Sequence, residues 1–198
     1  MRDFVHLHTH TEYSLLDGLS KCSALANYAA ELGMGSLAIT DHGVMYGVVD
    51  FYKSCQAAGI KPIIGIETYV APASRFSRDR DDGRDNHLVL LAQNQTGYRN
   101  LLKLASIAQL EGFYYRPRID KEVLEEHSEG VIALSACVQG EVPQLIHQGQ
   151  MEQARAAVEW YLERFPGRFY LELQTHALPE FDDMSRNLVT LAHDMDVP

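Results

Sequence analysis

The regular alternation of short apolar runs with longer helical patterns is the feature that most constrains this fold. The runs are almost wholly apolar, which is typical of strands whose two faces are both buried. Such alternation predicts an α/β architecture with a parallel sheet. We predict strands over residues 4–8, 36–40, 62–66, 88–92, 130–134 and 169–173. We predict helices over residues 20–33, 48–58, 96–111, 151–165 and 184–195, with Ser20 as an N-cap and Gly33 and Gly59 as stops.

Length and charge limit the function classes. The chain has 198 residues, 17 Lys+Arg and 27 Asp+Glu, for a formal charge of -10. That size predicts one domain over residues 1–198, and the acidity argues against general DNA coating, which works by neutralising phosphates. No run reaches the length of a membrane helix, and the first residues lack a secretory pattern. A chain with 3 cysteines and no CxxC pair fits the reducing cytoplasm.

Two segments depart from the alternation. Residues 72–86 carry four Arg and four Asp without an apolar period, and we expect a solvated, mobile loop there. After the last predicted helix, a strand would be the natural next element. We therefore expect the chain to be a piece of a longer polypeptide.

The paired histidines His8 and His10 close the first predicted strand. Alternate residues of a strand share a face, so both imidazoles should point the same way. Two neutral imidazoles with a common direction can bind a metal ion. His6 lies on the same face, one step deeper.

Further ligand-type residues follow the other predicted strands. Functional residues of parallel α/β folds gather at the carboxyl ends of strands, and we expect these side chains to meet at one mouth. Asp17 lies in the loop after the histidine pair, within reach of that mouth. The strand-end residues are Asp41, His42, Glu67 and Cys137.

Three residues near this mouth leave alternatives open. His87 precedes its predicted strand, so either that strand runs against the others or the charged loop returns to the mouth. Glu172 and His176 lie near the end of the strand predicted at residues 169–173, and the same geometry permits them a site role.

The ligand types indicate the kind of metal. Imidazole, carboxylate and one thiolate suit zinc, manganese or iron better than calcium. A Glu placed between two ions could bridge them, as in the two-metal clamps of phosphatases and nucleases. A metal-rich mouth could therefore bind a phosphodiester even in an acidic domain.

The motifs at these positions together resemble the PHP (polymerase and histidinol phosphatase) superfamily. They are His8-x-His10-Thr11-x-x-Ser14, Thr40-Asp41-His42-Gly43 and Gly65-Ile66-Glu67. Segments at residues 4–8, 13–18, 59–65 and 96–101 resemble the PHP domains of bacterial replicative DNA polymerases in particular. The resemblance covers essentially the whole chain.

The resemblance implies a distorted (β/α)7 barrel with up to three divalent metal ions, and a chain that ends before the last strand. It implies that Glu67 bridges two ions, that His8, His10, His42 and Glu67 form the catalytic centre, and that His6 and Asp41 support it. The complete implied ligand set is His8, His10, Asp17, His42, Glu67, His87 and Cys137.

Three functions remain open. The first is a zinc- or manganese-dependent 3′–5′ exonuclease on single-stranded DNA, within a polymerase chain. The second is a metal-stabilised scaffold that braces the rest of that chain and a separate proofreading subunit. The third is a phosphatase of the histidinol-phosphate type, which the polymerase-like segments disfavour.

Overall fold

The computed structural model describes residues 4–15, 17–79, 83–174 and 179–198, with the side chains of the last segment described from residue 183 onward. These segments contain helices α1 to α7 at Cys22–Glu31, Val48–Ala58, Gln95–Leu110, Lys121–Glu126, Glu141–His147, Met151–Arg164 and Pro179–Met195. They contain strands β1 to β6 at Ser36–Ile39, Lys61–Val70, Asn86–Ala92, Arg118–Ile119, Val131–Leu134 and Phe169–Tyr170.

The strands form one sheet in the order β1-β2-β3-β5-β6, with the short β4 beside β2. The pairs β1–β2, β2–β4 and β5–β6 are parallel, whereas β3 is antiparallel to both β2 and β5. The prediction of a wholly parallel sheet is therefore wrong at β3. A parallel return needs a crossover element, and the described residues between β2 and β3, 71–79 and 83–85, contain no helix.

The segment predicted as the first strand is not a regular strand. It runs beside β1, where the His6 carbonyl accepts from the Ala38 amide at 3.0 Å and the Thr9 carbonyl from the Thr40 amide at 2.9 Å. The Thr9 amide donates instead to the Thr40 hydroxyl, at 2.8 Å. A side chain thus replaces part of the backbone ladder, and the segment is extended without being a full sheet member.

The helix boundaries largely follow the local signals. Helix α2 has the predicted bounds and ends at Gly59, whose φ of 73° is left-handed. Helix α1 begins later than predicted, at Cys22, and Ser20 is not its N-cap. The Ser20 carbonyl instead accepts from the Glu12 amide at 2.9 Å, which fixes Ser20 in the preceding loop.

Several elements were missed or were shorter than predicted. Strand β4 and helices α4 and α5 were missed because they lack long apolar periods. Strand β6 was shorter than predicted and ends at Tyr170, because the Glu172 amide donates to the Ser135 hydroxyl at 2.8 Å. The charged segment is irregular as predicted, but Arg75 ties it to the body by donating to Asp120 at 3.1 Å. Residues 80–82 of that segment lie outside the described residues.

Helices pack against the sheet in two groups. The larger core places α3 to α7 against β2, β3 and β5 through Leu90, Leu104 and Tyr161. A second core joins α1 and α2 to β1 through Phe51 and Ile39. No helix in the described segments is both long and apolar enough to cross a membrane.

Candidate metal centre

The carboxyl ends of β1, β2 and β5 and the beginning of β3 meet at one cavity of about 310 Å³. The seven predicted ligands all line it: His8, His10, Asp17, His42, Glu67, His87 and Cys137. They come from the extended segment beside β1, the loop after it, and the mouth ends of β1, β2, β3 and β5. The structure therefore brings together residues that are up to 129 positions apart in sequence.

The reversed direction of β3 brings His87 to this cavity. His87 is the second residue of β3 and pairs with Tyr69 near the end of β2. Because β3 runs against β2, its beginning lies beside the end of β2. The first of the two alternatives for His87 is therefore the correct one.

One oxygen of Glu67 faces three imidazole nitrogens. Its Oε2 lies 3.2 Å from Nε2 of His8 and 3.2 Å from Nε2 of His10. The same oxygen lies 3.0 Å from Nδ1 of His42. The two Nε2 atoms of His8 and His10 are themselves only 3.2 Å apart, so these atoms converge on a small volume.

The other oxygen of Glu67 faces a second group. Its Oε1 accepts from Nδ1 of His87 at 2.9 Å. The Cys137 Sγ lies 3.7 Å from that nitrogen and 4.0 Å from the carboxylate oxygen. Glu67 is 1% exposed and stands between two ligand groups, which is the geometry that a bridging carboxylate requires.

A third ligand group lies at the outer side of the cavity. The Asp17 Oδ2 lies 2.9 Å from Nε2 of His42, and the Ser14 hydroxyl donates to the Asp17 Oδ1 at 2.7 Å. Gly18 makes this loop possible, because a Cβ there would lie 1.7 Å from the Thr11 carbonyl oxygen. His10, Asp17 and His42 can place one ligand atom each within 4.8 Å of one another.

The charges of the cluster are strongly coupled. Burial opposes ionisation of Glu67, but the close contacts of its carboxylate with the surrounding histidines outweigh burial and hold the pKa of the carboxyl far below its ordinary value. Burial likewise lowers the pKa of His8, yet its contacts with Glu172 and Glu67 dominate and raise that pKa to about 10.

Unpaired buried atoms show that the cluster fits a divalent metal. Among the described residues, no hydrogen bond of acceptable geometry reaches Glu67 Oε2, His42 Nδ1 or His87 Nε2. Glu67 Oε2 and His42 Nδ1 lie close together, but no hydrogen bond joins them. Such an arrangement of buried polar atoms is costly unless a cation joins the two atoms. Imidazole, carboxylate and thiolate together are the donors of transition-metal sites.

The two residues predicted to support the ligands behave differently. Asp41 is 1% exposed and accepts from the Thr11 amide at 2.6 Å and the Thr11 hydroxyl at 2.8 Å, which fastens the histidine-pair loop to the end of β1. Burial raises the pKa of Asp41. The His6 ring is exposed and packs edge-on against Phe4. Among the described residues, no contact connects His6 to the cavity.

Glu172 is the clearest site residue that the motifs did not assign. Its Oε1 lies 2.7 Å from Nδ1 of His8 and accepts from the Gln174 amide nitrogen at 2.8 Å. A carboxylate behind a ligating histidine orients the ring and makes it more basic. Its place near the end of β6 was the only signal in the sequence. His176, the other open candidate, lies outside the described residues.

The backbone beside Cys137 is unusual. Ala136 has a φ of 60°, in the left-handed region that residues with a Cβ seldom occupy. This turn aims the Cys137 thiol at the cavity after β5. Burial raises the pKa of that thiol to about 11, so a metal ion would have to displace its proton.

Comparison with known proteins identifies relatives over most of the chain. A family model described as the PHP domain matches residues 6–176. DNA polymerase III subunit alpha of Borreliella burgdorferi is 49% identical over 197 residues, which cover 98% of this chain and 17% of that protein. The subunit of the same name from Thermus aquaticus is 51% identical over 182 residues, covering 89% and 15%. The chain thus spans less than a fifth of these curated relatives.

Solved structures agree on the fold. A Bifidobacterium adolescentis protein named as a metal-dependent phosphoesterase superposes with a TM-score of 0.59 at 14% identity, covering 98% of this chain and 85% of that one. An amidohydrolase of Chromobacterium violaceum with bound sulfate gives 0.54 at 14%, covering 98% and 84%. These similarities confirm the predicted fold class, which is the distorted α/β barrel that the two solved structures share.

Proposed function

Because the chain belongs to the PHP domain family, we propose that it is a metal-dependent phosphodiesterase that removes nucleotides from the 3′ end of single-stranded DNA. The observation that carries this proposal is the buried Glu67, whose two oxygens face separate ligand groups across one cavity. The names of its relatives support DNA as the substrate, since a DNA polymerase works at a 3′ end.

The ligand residues fall into three groups, each of which would hold one of three neighbouring metal ions. His8, His10 and Glu67 would hold one ion, Glu67, His87 and Cys137 a second, and Asp17 with His42 part of a third. The donor set favours zinc or manganese. When bound, such ions supply the Lewis acid that polarises a phosphodiester and makes water a nucleophile near neutral pH.

The protein's part is to hold each ligand atom in place and in the right protonation state. Glu172 accepts the Nδ1 hydrogen of His8 at 2.7 Å, so Nε2, which faces Glu67, is the ring atom that would bind a metal ion after losing its proton. Asp41 holds the loop of His8 and His10 against β1 through Thr11. The positions are thus set by packed elements before a substrate arrives.

The relatives also suggest partners. We propose that the remainder of a polymerase alpha chain follows this domain, that DNA binds at the cavity, and that a proofreading subunit docks on the assembly in the cytoplasm. A metal-stabilised scaffold without hydrolysis is the alternative, because the same ligands would tie the extended N-terminal segment to β1, β2 and β3 whether or not a substrate binds.

Hydrolysis of a labelled oligonucleotide tests the proposal. A 5′-labelled single strand is incubated with the chain and Mn²⁺ or Zn²⁺, and products are separated by length. We expect shortening from the 3′ end, abolished in Glu67→Gln and His8→Ala. Glu159→Gln, an exposed carboxylate on α6, is the matched control and should retain wild-type turnover.

The outcomes separate the three functions. Intact DNA in every metal, together with a large loss of thermal stability on chelation, would contradict the exonuclease and support the scaffold. Turnover of histidinol phosphate but not of DNA would support the small-molecule phosphatase. Circular dichroism melts of each variant show whether a lost activity reflects lost folding.

A further inference from the structure

A loop at residues 111–117 packs beside the chain segment that carries the ligand His42. It packs directly on the residue after His42: a Cβ on Gly43 would lie 2.6 Å from Cγ of Pro117. The Gly43 amide also donates to the Glu67 carbonyl at 2.8 Å, so this contact joins the loop to the strand end that carries Glu67. Whatever the loop binds would therefore lie beside the ligands.

Aromatic stacking connects the loop to the metal ligands. The His42 ring is stacked on Tyr69, with centroids 5.7 Å apart and planes 13° apart. The Arg116 guanidinium carbon lies 4.9 Å from the centre of the same Tyr69 ring. Arg116 is exposed, so its charge is presented to solvent at the mouth.

Exposed aromatic rings lie on this loop and on the segment of Arg75, whose Cβ would lie 3.3 Å from a Cβ on Gly112. Tyr115 is 72% exposed, Phe113 is 53% exposed and Phe76 is 56% exposed. Tyr115 has a φ of 61°, in the left-handed region. Such backbone strain is costly and tends to persist at functional sites.

The arginines of these two segments have two different roles. Arg75 is held by Glu111, Asp120 and Glu122, so its charge is neutralised within the fold. Arg78 is exposed, and its hydrogen bonds to described residues all go to carbonyl oxygens, those of Arg75, Ser77 and Glu111.

As far as the described residues go, Arg116 resembles Arg78 in having no acidic side chain close to its guanidinium. Among the described residues, no carboxylate lies within 4.0 Å of the guanidinium of Arg78 or Arg116. At longer range, the charge of Arg116 acts on the carboxyl of Asp85, as the charge of Arg118 also does. Within the described segments, Arg78 and Arg116 are therefore exposed cations with no carboxylate at ion-pair distance, on a chain whose formal charge is -10.

We propose that this aromatic–arginine surface, formed by Phe76, Arg78, Phe113, Tyr115 and Arg116, binds the single strand of nucleic acid whose last phosphodiester enters the metal cavity. Aromatic faces stack on bases without regard to sequence, and cations follow the phosphates. A peptide partner would not account for the stacking that connects Arg116 to the metal ligand His42 through Tyr69. The inference rests on the proposed function, since it names how that substrate is held.

Binding of a fluorescent oligothymidylate with phosphorothioate linkages tests the proposal without hydrolysis. Anisotropy is measured for the chain with Mn²⁺ and with chelator, over a range of salt. We expect Arg116→Gln to weaken binding about tenfold and to lower the salt slope by about 1. Tyr115→Asn, which tolerates the left-handed backbone, should weaken binding about fivefold or more and leave the slope unchanged.

Matched controls come from the opposite parts of the surface. Arg99→Gln on α3 and Tyr28→Ala on α1 remove an exposed cation and an exposed ring away from the cavity, and both should bind as the wild type does. Should Tyr115→Asn unfold, Phe76→Leu removes a ring of this surface with little change in volume. Wild-type affinity in Arg116→Gln and Tyr115→Asn would overturn the proposal and would assign the surface to a protein partner.

The wild-type chain separates this proposal from the proposed function. Hydrolysis of bis(p-nitrophenyl) phosphate without measurable oligonucleotide binding would overturn the surface and leave the phosphodiesterase standing. Oligonucleotide binding that depends on Arg116, without hydrolysis of any diester in any metal, would support the surface and overturn the phosphodiesterase.

Discussion

Glu172 Oε1 lies 2.7 Å from Nδ1 of His8, although the two residues are 164 positions apart. His8 belongs to the extended segment beside β1, and Glu172 follows β6, at the other edge of the sheet. This contact therefore brings the two edges together at the mouth. It also fixes the orientation of a ring that faces the central carboxylate of Glu67.

Glu172→Gln tests the positioning role of this contact. The amide preserves the shape but accepts the His8 hydrogen more weakly, so we expect metal affinity to fall about 10–100-fold. Competition with a chromogenic chelator measures the affinity independently of hydrolysis. Glu159→Gln is the control, and an unchanged affinity in Glu172→Gln would show that the contact does not tune His8.

Thr11→Val tests the anchor of the histidine-pair loop. The substitution keeps the shape but leaves Oδ2 of the buried Asp41 without the hydroxyl that donates to it at 2.8 Å. We expect the free energy of unfolding in urea to fall by about 2 kcal/mol. Thr190→Val on α7, whose exposed hydroxyl donates to the Arg186 carbonyl, should cost at most about 0.5 kcal/mol. Equal losses in the two variants would contradict a special role for the Asp41 anchor.

Gly18→Ala tests the close approach that positions Asp17. Its Cβ would lie 1.7 Å from the Thr11 carbonyl, so the loop must move, at a cost of about 1–3 kcal/mol or more. We expect a lower melting temperature and weaker metal binding. Gly35→Ala is the matched control, because no atom lies within 4 Å of its Cβ position and its φ is not left-handed. Equal melting temperatures for Gly18→Ala and Gly35→Ala would contradict this prediction.

Metal removal should destabilise the fold. Ions that bind only the folded state at about 100 times their dissociation constant add about 2.7 kcal/mol. For a chain of this length that corresponds to a fall in melting temperature of about 5–10 °C on adding chelator. Excess Mn²⁺ should reverse the shift, and Glu67→Gln should show less than half of it. The absence of any shift in the wild type would mean that the cluster does not hold ions in solution.

Local signals predicted much of the fold because they act within a few residues. Helix α2 followed from its apolar period and from Gly59, which ends it in the left-handed region. The direction of β3 did not follow, because apolar content alone does not distinguish a parallel return from an antiparallel one. His87 was the one ligand whose position before its strand hinted at the reversal.

The site itself was partly visible in the sequence. Five ligand-type residues at strand ends predicted the convergence that the structure shows, and the family resemblance added Asp17 and His87; the five are His8, His10, His42, Glu67 and Cys137. Glu172 could not be assigned, because its role depends on the contact between distant edges of the sheet. The Arg116–Tyr69 stack was equally hidden, since Arg116 lies in a loop whose sequence carries no ligand motif.

The metal content of the purified chain tests the central claim most directly. Wild-type and Glu67→Gln chains are dialysed against the same trace Zn²⁺ and Mn²⁺, and bound ions are counted by mass spectrometry. A carboxylate that bridges two ligand groups predicts about two or more equivalents in the wild type and a loss of at least about one in Glu67→Gln. Less than about half an equivalent in the wild type, or equal content in both chains, would contradict a metal centre built around Glu67.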